Sequence, residues 1–166
     1  MRKFAIFSAL VLSLVSVPVS AAELTSSQKT SIVDNCSAIK DSLRAVQRED
    51  SRIRVYLGRY YESILTKFVT PLNVRLVENS ISDTSLIANQ EQFVDRRTVF
   101  ISDYIVYQQA LEDLVSTDCK SEPQKFYDKL EITREKRETV NQDVAKMSEL
   151  TNRQVKLVTK LKDELK

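Results

Sequence analysis

Between Ile32 and Ile64 apolar side chains recur at alternating steps of four and three: Ile32, Cys36, Ile39, Leu43, Val46, Ile53, Leu57, Tyr60 and Ile64. Asp50 takes the one polar place in that series. Such spacing returns side chains to one face of an α-helix and predicts a seam packed lengthwise against other helices. A strand would alternate every second residue and would not run so far. Upstream, Leu24-Thr25-x-x-Gln28 has the form of a capping box with a preceding apolar staple, so the helix should begin near residue 26. Downstream, the steps lengthen to four at Phe68, Leu72 and Leu76, a stutter that relaxes supercoiling. Pro71 lies within it and removes a backbone donor, which predicts a kink just before it. The alternative is a fresh helix capped by Thr70 with Pro71 in its first turn.

Asn79-Ser80-Ile81-Ser82-Asp83-Thr84-Ser85 breaks the pattern with side chains that compete for backbone hydrogen bonds. A second seam follows: Leu86, Gln90, Phe93, Arg97, Phe100, Tyr104, Tyr107, Leu111 and Leu114. It stops at Asp118–Pro123, where a proline beside a new N-terminus signals a restart. The third seam is more polar and should fray at its end: Phe126, Leu130, Thr133, Arg137, Val140, Val144, Met147, Thr151, Gln154, Val158, Leu161 and Leu165. Helices are therefore predicted over roughly 26–79, 83–118 and 123–165. One glycine and three prolines in 166 residues leave too few turn positions for a sandwich or barrel.

Residues 1–22 are set apart from this pattern. Arg2 and Lys3 precede an apolar run from Phe4 to Val17, then Pro18, then small residues at Ser20-Ala21-Ala22. This is the form of a cleaved secretory signal peptide. A retained anchor is the other reading, but the run spans only about 24 Å against a hydrocarbon core of about 30 Å. The remaining 23–166 suits one domain. The chain carries 25 Lys and Arg against 23 Asp and Glu, and two of the cations lie in the signal segment. Charge in the rest is balanced, which gives no footprint for nucleic acid. Membrane contact is expected only through the uncleaved signal segment, and the exported chain should stay in the envelope or leave the cell.

In an exported protein two cysteines most simply form one disulfide. In an antiparallel hairpin, residues equidistant from the turn meet, and the midpoint of positions 36 and 119 falls beside Asn79. Cys36 should therefore reach Cys119. The third helix then starts beside that bridge and runs parallel to the first, each about 65 Å long. The predicted fold is all-α, an elongated antiparallel three-helix bundle or coiled coil closed by one disulfide. The same register places Asp50, Tyr107 and Arg137 in one buried polar layer. Asp50 and Arg137 should pair, with Tyr104 or Tyr107 completing the layer, because a buried charge must be paired and hydrogen-bonded. Register fixing is the plain role of such a layer, and a ligand or partner site the sharper one. Tyr56, Tyr60 and Tyr61 among Arg52, Arg54 and Arg59 suggest core packing with a solvated rim more than a binding platform. Gly58 is placed against Ala145, where close helix contact would account for it.

The chain has no histidine, which removes histidine acid–base chemistry, histidine metal ligands and a Ser-His-Asp triad. With one glycine there is no phosphate-cradling loop. No catalytic, cofactor-binding or metal-binding residue is expected, and the protein is not expected to be an enzyme. Lys162-Asp163-Glu164-Leu165 has the letters of a retention signal, but Lys166 follows it and that signal is read only at a terminus.

Leu24-Thr25-x-x-Gln28 and Leu150-Thr151-x-x-Gln154 resemble the Leu-Thr-x-x-Gln repeat of Spy/CpxP-type periplasmic chaperones, which implies an ATP-independent holdase. A broader resemblance joins Cys36, Arg52-x-Arg54-Val55-x-Leu57-Gly58, Tyr61-Glu62-x-Ile64-x-x-Lys67, Pro71-Leu72-Asn73-x-Arg75, Asp118-Cys119, Pro123 and Phe126-Tyr127-Asp128-Lys129-Leu130. Together these resemble exported helical proteins of Saccharibacteria-type ultrasmall bacteria. That likeness implies export and the cysteine pairing and supplies no activity, ligand or catalytic residue. The expected role is a non-catalytic structural or protein-binding module of the cell envelope or surface, with self-association through the helices a further expectation.

Overall fold

The structure, a computed structural model, describes residues 23–165. The signal-peptide reading of 1–22 lies outside them. The described chain is all-α: α1 (Ser26–Asp34), α2 (Cys36–Ile64), a π-helical turn (Leu65–Val69), α3 (Thr70–Glu78), α4 (Thr84–Ser116) and α5 (Pro123–Glu164). The segments α1 to α3 make one rod, α4 returns antiparallel to it, and α5 runs beside it again.

Local chemistry sets each boundary. Thr25 Oγ1 accepts from Gln28 N at 3.3 Å while Gln28 Oε1 accepts from Thr25 N at 2.8 Å, which completes the capping box. After α3 the chain closes in a Schellman motif. Ser80 takes a left-handed φ of 59°, Ile81 N donates to Leu76 O at 2.8 Å, and Ser80 N donates to Val77 O at 3.0 Å. Ile81 then packs onto Leu76 and Leu86 at that end. Asp83 caps α4 by accepting from the backbone N of Ser85 and Leu86. Asp118 folds the second connection by accepting from Lys120 N and from the Ser121 hydroxyl, and Pro123 opens α5. Those bonds to its ionised form hold the Asp118 carboxyl below its usual range.

The first rod departs from the predicted single helix at two points. At Asn35 one residue leaves helical geometry (φ −99°, ψ 8°), and its side-chain amide caps Ser31 O at 2.9 Å. Ahead of Pro71 the chain forms a π-turn, with Thr70 N donating to Leu65 O. Thr70 itself is helical (φ −62°, ψ −48°), so it does not cap a fresh helix. The proline's missing donor and ring are accommodated by widening the preceding turn.

The predicted seam shifts by one residue at two places, only the second of them at that extra residue. Tyr61 and Val69 are buried, whereas Tyr60 and Phe68 face outward. Gly58 has nothing within 4 Å of where a Cβ would stand, so the expected close contact with Ala145 is absent. In α4, Asn89 is buried on the core face; in α5, Asp143 and Leu150 are. Arg97, assigned to the α4 seam, instead forms an ion pair with Glu62 on α2. Core faces here are wider than a strict four-three stripe because each helix touches two neighbours.

The core falls into three clusters. Beside the disulfide lie Phe100, Tyr104, Tyr107, Leu111, Leu114 and Phe126, with Ile39 and Leu43 against them. Tyr61, Phe93, Met147 and Leu150 fill the middle. Leu76, Leu86 and Leu161 close the far end. The tightest packing is between α4 and α5, and the first rod lies less closely on that pair.

Candidate functional site

Cys36 and Cys119 are joined, with Cα atoms 5.7 Å apart. The bridge pins the start of α2 to the loop before α5, and Leu24 N adds a bond to Gln124 Oε1 at 2.9 Å. From that fixed end the register brings Asp50, Tyr107 and Arg137 together. Tyr107 Oη donates to Asp50 Oδ2 at 2.6 Å. Arg137 grips the same carboxylate with Nε on Oδ2 and Nη2 on Oδ1, both at 3.0 Å. This is the bidentate fork that the guanidinium plane favours. Tyr104 does not reach Asp50. Its hydroxyl donates to Ser51 Oγ at 3.4 Å, and the Arg54 guanidinium stands over its ring at 5.1 Å.

The layer is less enclosed than its place in the seam implied. Tyr107 is buried, and the Asp50 side chain is 14% exposed, but that of Arg137 is 50% exposed. Arg137 reaches in from the rim of the bundle instead of standing within it. Burial, then the bond to Asp50, raises the Tyr107 pKa and keeps the phenol neutral and donating. The bond to Asp50 likewise raises the Arg137 pKa. Each group is committed to another within the layer. A cavity of about 120 Å³ beside it, lined by Leu57, Phe100 and Val140 among others, is small for an organic ligand.

A second polar contact, not foreseen from the sequence, lies between α4 and α5. Asp143 is buried beside Asp103, with Arg96 Nη1 3.9 Å from its Oδ1. Burial first, then a hydrogen bond with Asp103, raises the Asp143 pKa and favours its protonated form. Buried amides repeat the theme farther along. Asn89 Nδ2 donates to Leu150 O at 3.2 Å and to Gln154 Oε1 at 2.8 Å. Asn73 Nδ2 donates to Gln90 Oε1 at 2.6 Å, and Gln90 Nε2 to Thr70 Oγ1 at 3.1 Å.

The loose fit of the first rod leaves a groove between it and α5, on the side away from α4. Near the disulfide the groove is walled by Ile32, Ile39, Leu43 and Leu130, with Arg134 its charged residue. At the Asp50 layer the space narrows to the small cavity that α4 also lines, and a separate hollow of about 710 Å³ lies between Tyr60–Arg75 and Thr151–Thr159. Lys67 and Arg75 are the charged residues of that hollow. Ile53, Tyr56, Tyr60 and Phe68 stand exposed along the same rod. Among the described residues no cluster of three or more metal-ligating side chains forms, and no helix is long and apolar enough to cross a membrane.

These features define a disulfide-clamped, all-α bundle with polar layers at intervals and one open apolar seam. Comparison with protein-family models, with curated proteins and with solved structures gave no match to this chain.

Proposed function

We propose that the protein is a non-catalytic, exported helical module that acts by contact with another protein at the cell envelope or surface. One observation carries this reading: large apolar side chains stand in solvent on a rod that is clamped at one end. Tyr56 and Phe68 are each 67% exposed and Tyr60 is 45% exposed, in a stretch whose periodicity otherwise marks core positions. Contiguous exposed apolar surface rimmed by polar residues is the usual mark of a partner site. The disulfide suits an oxidising compartment and supports the export reading.

The test is photo-crosslinking from Tyr56 and Tyr60 in intact cells of the source. A discrete adduct at both positions is expected. No adduct, combined with substrate turnover by the purified protein, would reverse the reading. The exposed tyrosines also favour a second reading, an ATP-independent holdase. Suppression of client aggregation at near-stoichiometric ratio would raise it above the first, and indifference across several clients would remove it.

A further inference from the structure

The hollow between Tyr60–Arg75 and Thr151–Thr159 joins apolar walls to two cations. Its walls are Ile64, Phe68, Val69 and Leu72 on one side and Val155 and Val158 on the other. Lys67 and Arg75 line it, and no carboxylate does, in a chain whose charges are otherwise evenly mixed. From Tyr60 to Arg75 it runs about 22 Å, some four turns of helix.

Resting on the contact reading above, we propose that this groove receives an amphipathic helix of a partner protein whose apolar stripe is flanked by Asp or Glu. Two parallel helical walls with an apolar floor are the geometry in which a third helix lays down residues at i, i+3, i+4 and i+7. Openness argues against a small amphiphile, because Phe68 is 67% and Val155 61% exposed. Ligand sites normally enclose most of what they bind. Lys67 and Arg75 are two helical turns apart on one wall, so acids at that spacing on the incoming helix meet both.

Charge also decides between sources of the helix. Twofold pairing of two copies through this groove would set the cations Lys67 and Arg75 of one copy against those of the other. The chain's own apolar N-terminal stretch carries Arg2 and Lys3 and no acid. An acidic-flanked helix from another protein is the match.

The test uses the purified full chain and two synthetic helical peptides of about 18 residues, long enough to span the groove. They share a leucine stripe and differ in flanks, Glu in one and Lys in the other. Fluorescence anisotropy should show the Glu-flanked peptide binding with Kd on the order of 10 μM and the Lys-flanked one at least about tenfold weaker. Phe68→Glu should weaken the first by about tenfold or more. The Lys67→Glu, Arg75→Glu double variant should invert the preference, and Ile105→Glu, exposed on α4 and outside the groove, should change nothing. Phe68, Lys67 and Arg75 are exposed, so unchanged circular-dichroism melts would show that the variants fold. Equal affinity for both peptides, or undiminished binding by Phe68→Glu, overturns the proposal. Self-association in sedimentation that Phe68→Glu abolishes assigns the groove to a second copy and also overturns it. An envelope partner still crosslinked by Phe68→Glu would leave the contact reading standing while this groove assignment falls.

Discussion

Asp50 has two partners, and the structure says which one matters more to folding. The Arg137 fork is geometrically good, but half of its side chain is in water. An exposed pair gains little because water solvates both ions and ordering a long side chain costs entropy, leaving about 0–1 kcal/mol. Tyr107 is buried, so its hydroxyl has no water to fall back on. A hydrogen bond to a charged group contributes roughly 1.5–3 kcal/mol, and a buried donor left alone costs about 1–3 kcal/mol. Asp50→Leu should therefore destabilise by about 2–3 kcal/mol. Asp50→Asn, whose carbonyl can still accept from Tyr107, should cost only about 1 kcal/mol. Double-mutant cycles by urea unfolding separate the two contacts: Asp50 with Tyr107→Phe, and Asp50 with Arg137→Gln. The Asp50–Tyr107 coupling should be about 1.5 kcal/mol or more, the Asp50–Arg137 coupling below about 1 kcal/mol and weakened by salt. A larger, salt-insensitive Arg137 coupling would refute this ranking.

Three further outcomes are expected. Reducing Cys36–Cys119 releases a loop with sequence separation 83, worth about 4.5 kcal/mol in the chain-entropy model. Melting with and without reductant should differ by roughly 10–20 °C, and a shift under a few degrees would contradict the model. Gly58→Ala should stabilise the fold by about 0.4–1 kcal/mol in chemical denaturation, because the added methyl meets open space and the helix gains propensity. The raised pKa of Asp143 means that the native state binds its proton more tightly than the unfolded chain does. This contribution to stability is present below the unfolded value and lost as pH rises through the folded one. Asp143→Asn should therefore match the parent in acid and exceed it near neutrality in urea titrations, and a constant offset across pH would exclude the explanation.

The three rods, the two connections and the disulfide were legible because periodicity and turn chemistry act locally, and because equal arms about a turn fix what lies opposite; the breaks at Asn35 and before Pro71 within the first rod were not. The Asp50, Tyr107 and Arg137 contact followed from the same arithmetic. Its degree of burial did not, since it depends on how far the first rod stands from α5. Asn89, Asp143 and Leu150 were missed for a single reason. In each place the three-step neighbour of a core residue lies as close to the interface as the four-step neighbour, and the polar Asn and Asp gave no apolar signal. The exchanges of Tyr60 for Tyr61 and of Phe68 for Val69 have different origins. Tyr60 and Tyr61 are adjacent residues of one type, and Phe68 changes face only because the turn before Pro71 holds one residue too many. Periodicity alone cannot see either. Nor did balanced overall charge reveal that Lys67 and Arg75 share a wall.

That π-turn acts as a phase shifter. A single surplus residue in a continuous helix rotates everything beyond it by about 100°, so the far third of the rod is dialled independently of the bridged end. Deleting one residue between Leu65 and Val69 would let the turn close to ordinary α-helix and keep Asn73 and Leu76 on the core, whereas deleting one from the α-helix before it would swing α3 by that angle while leaving Cys36–Cys119 where it is. The bulge is thus the one place in the rod where related chains could lose a residue and leave the distal face unaltered.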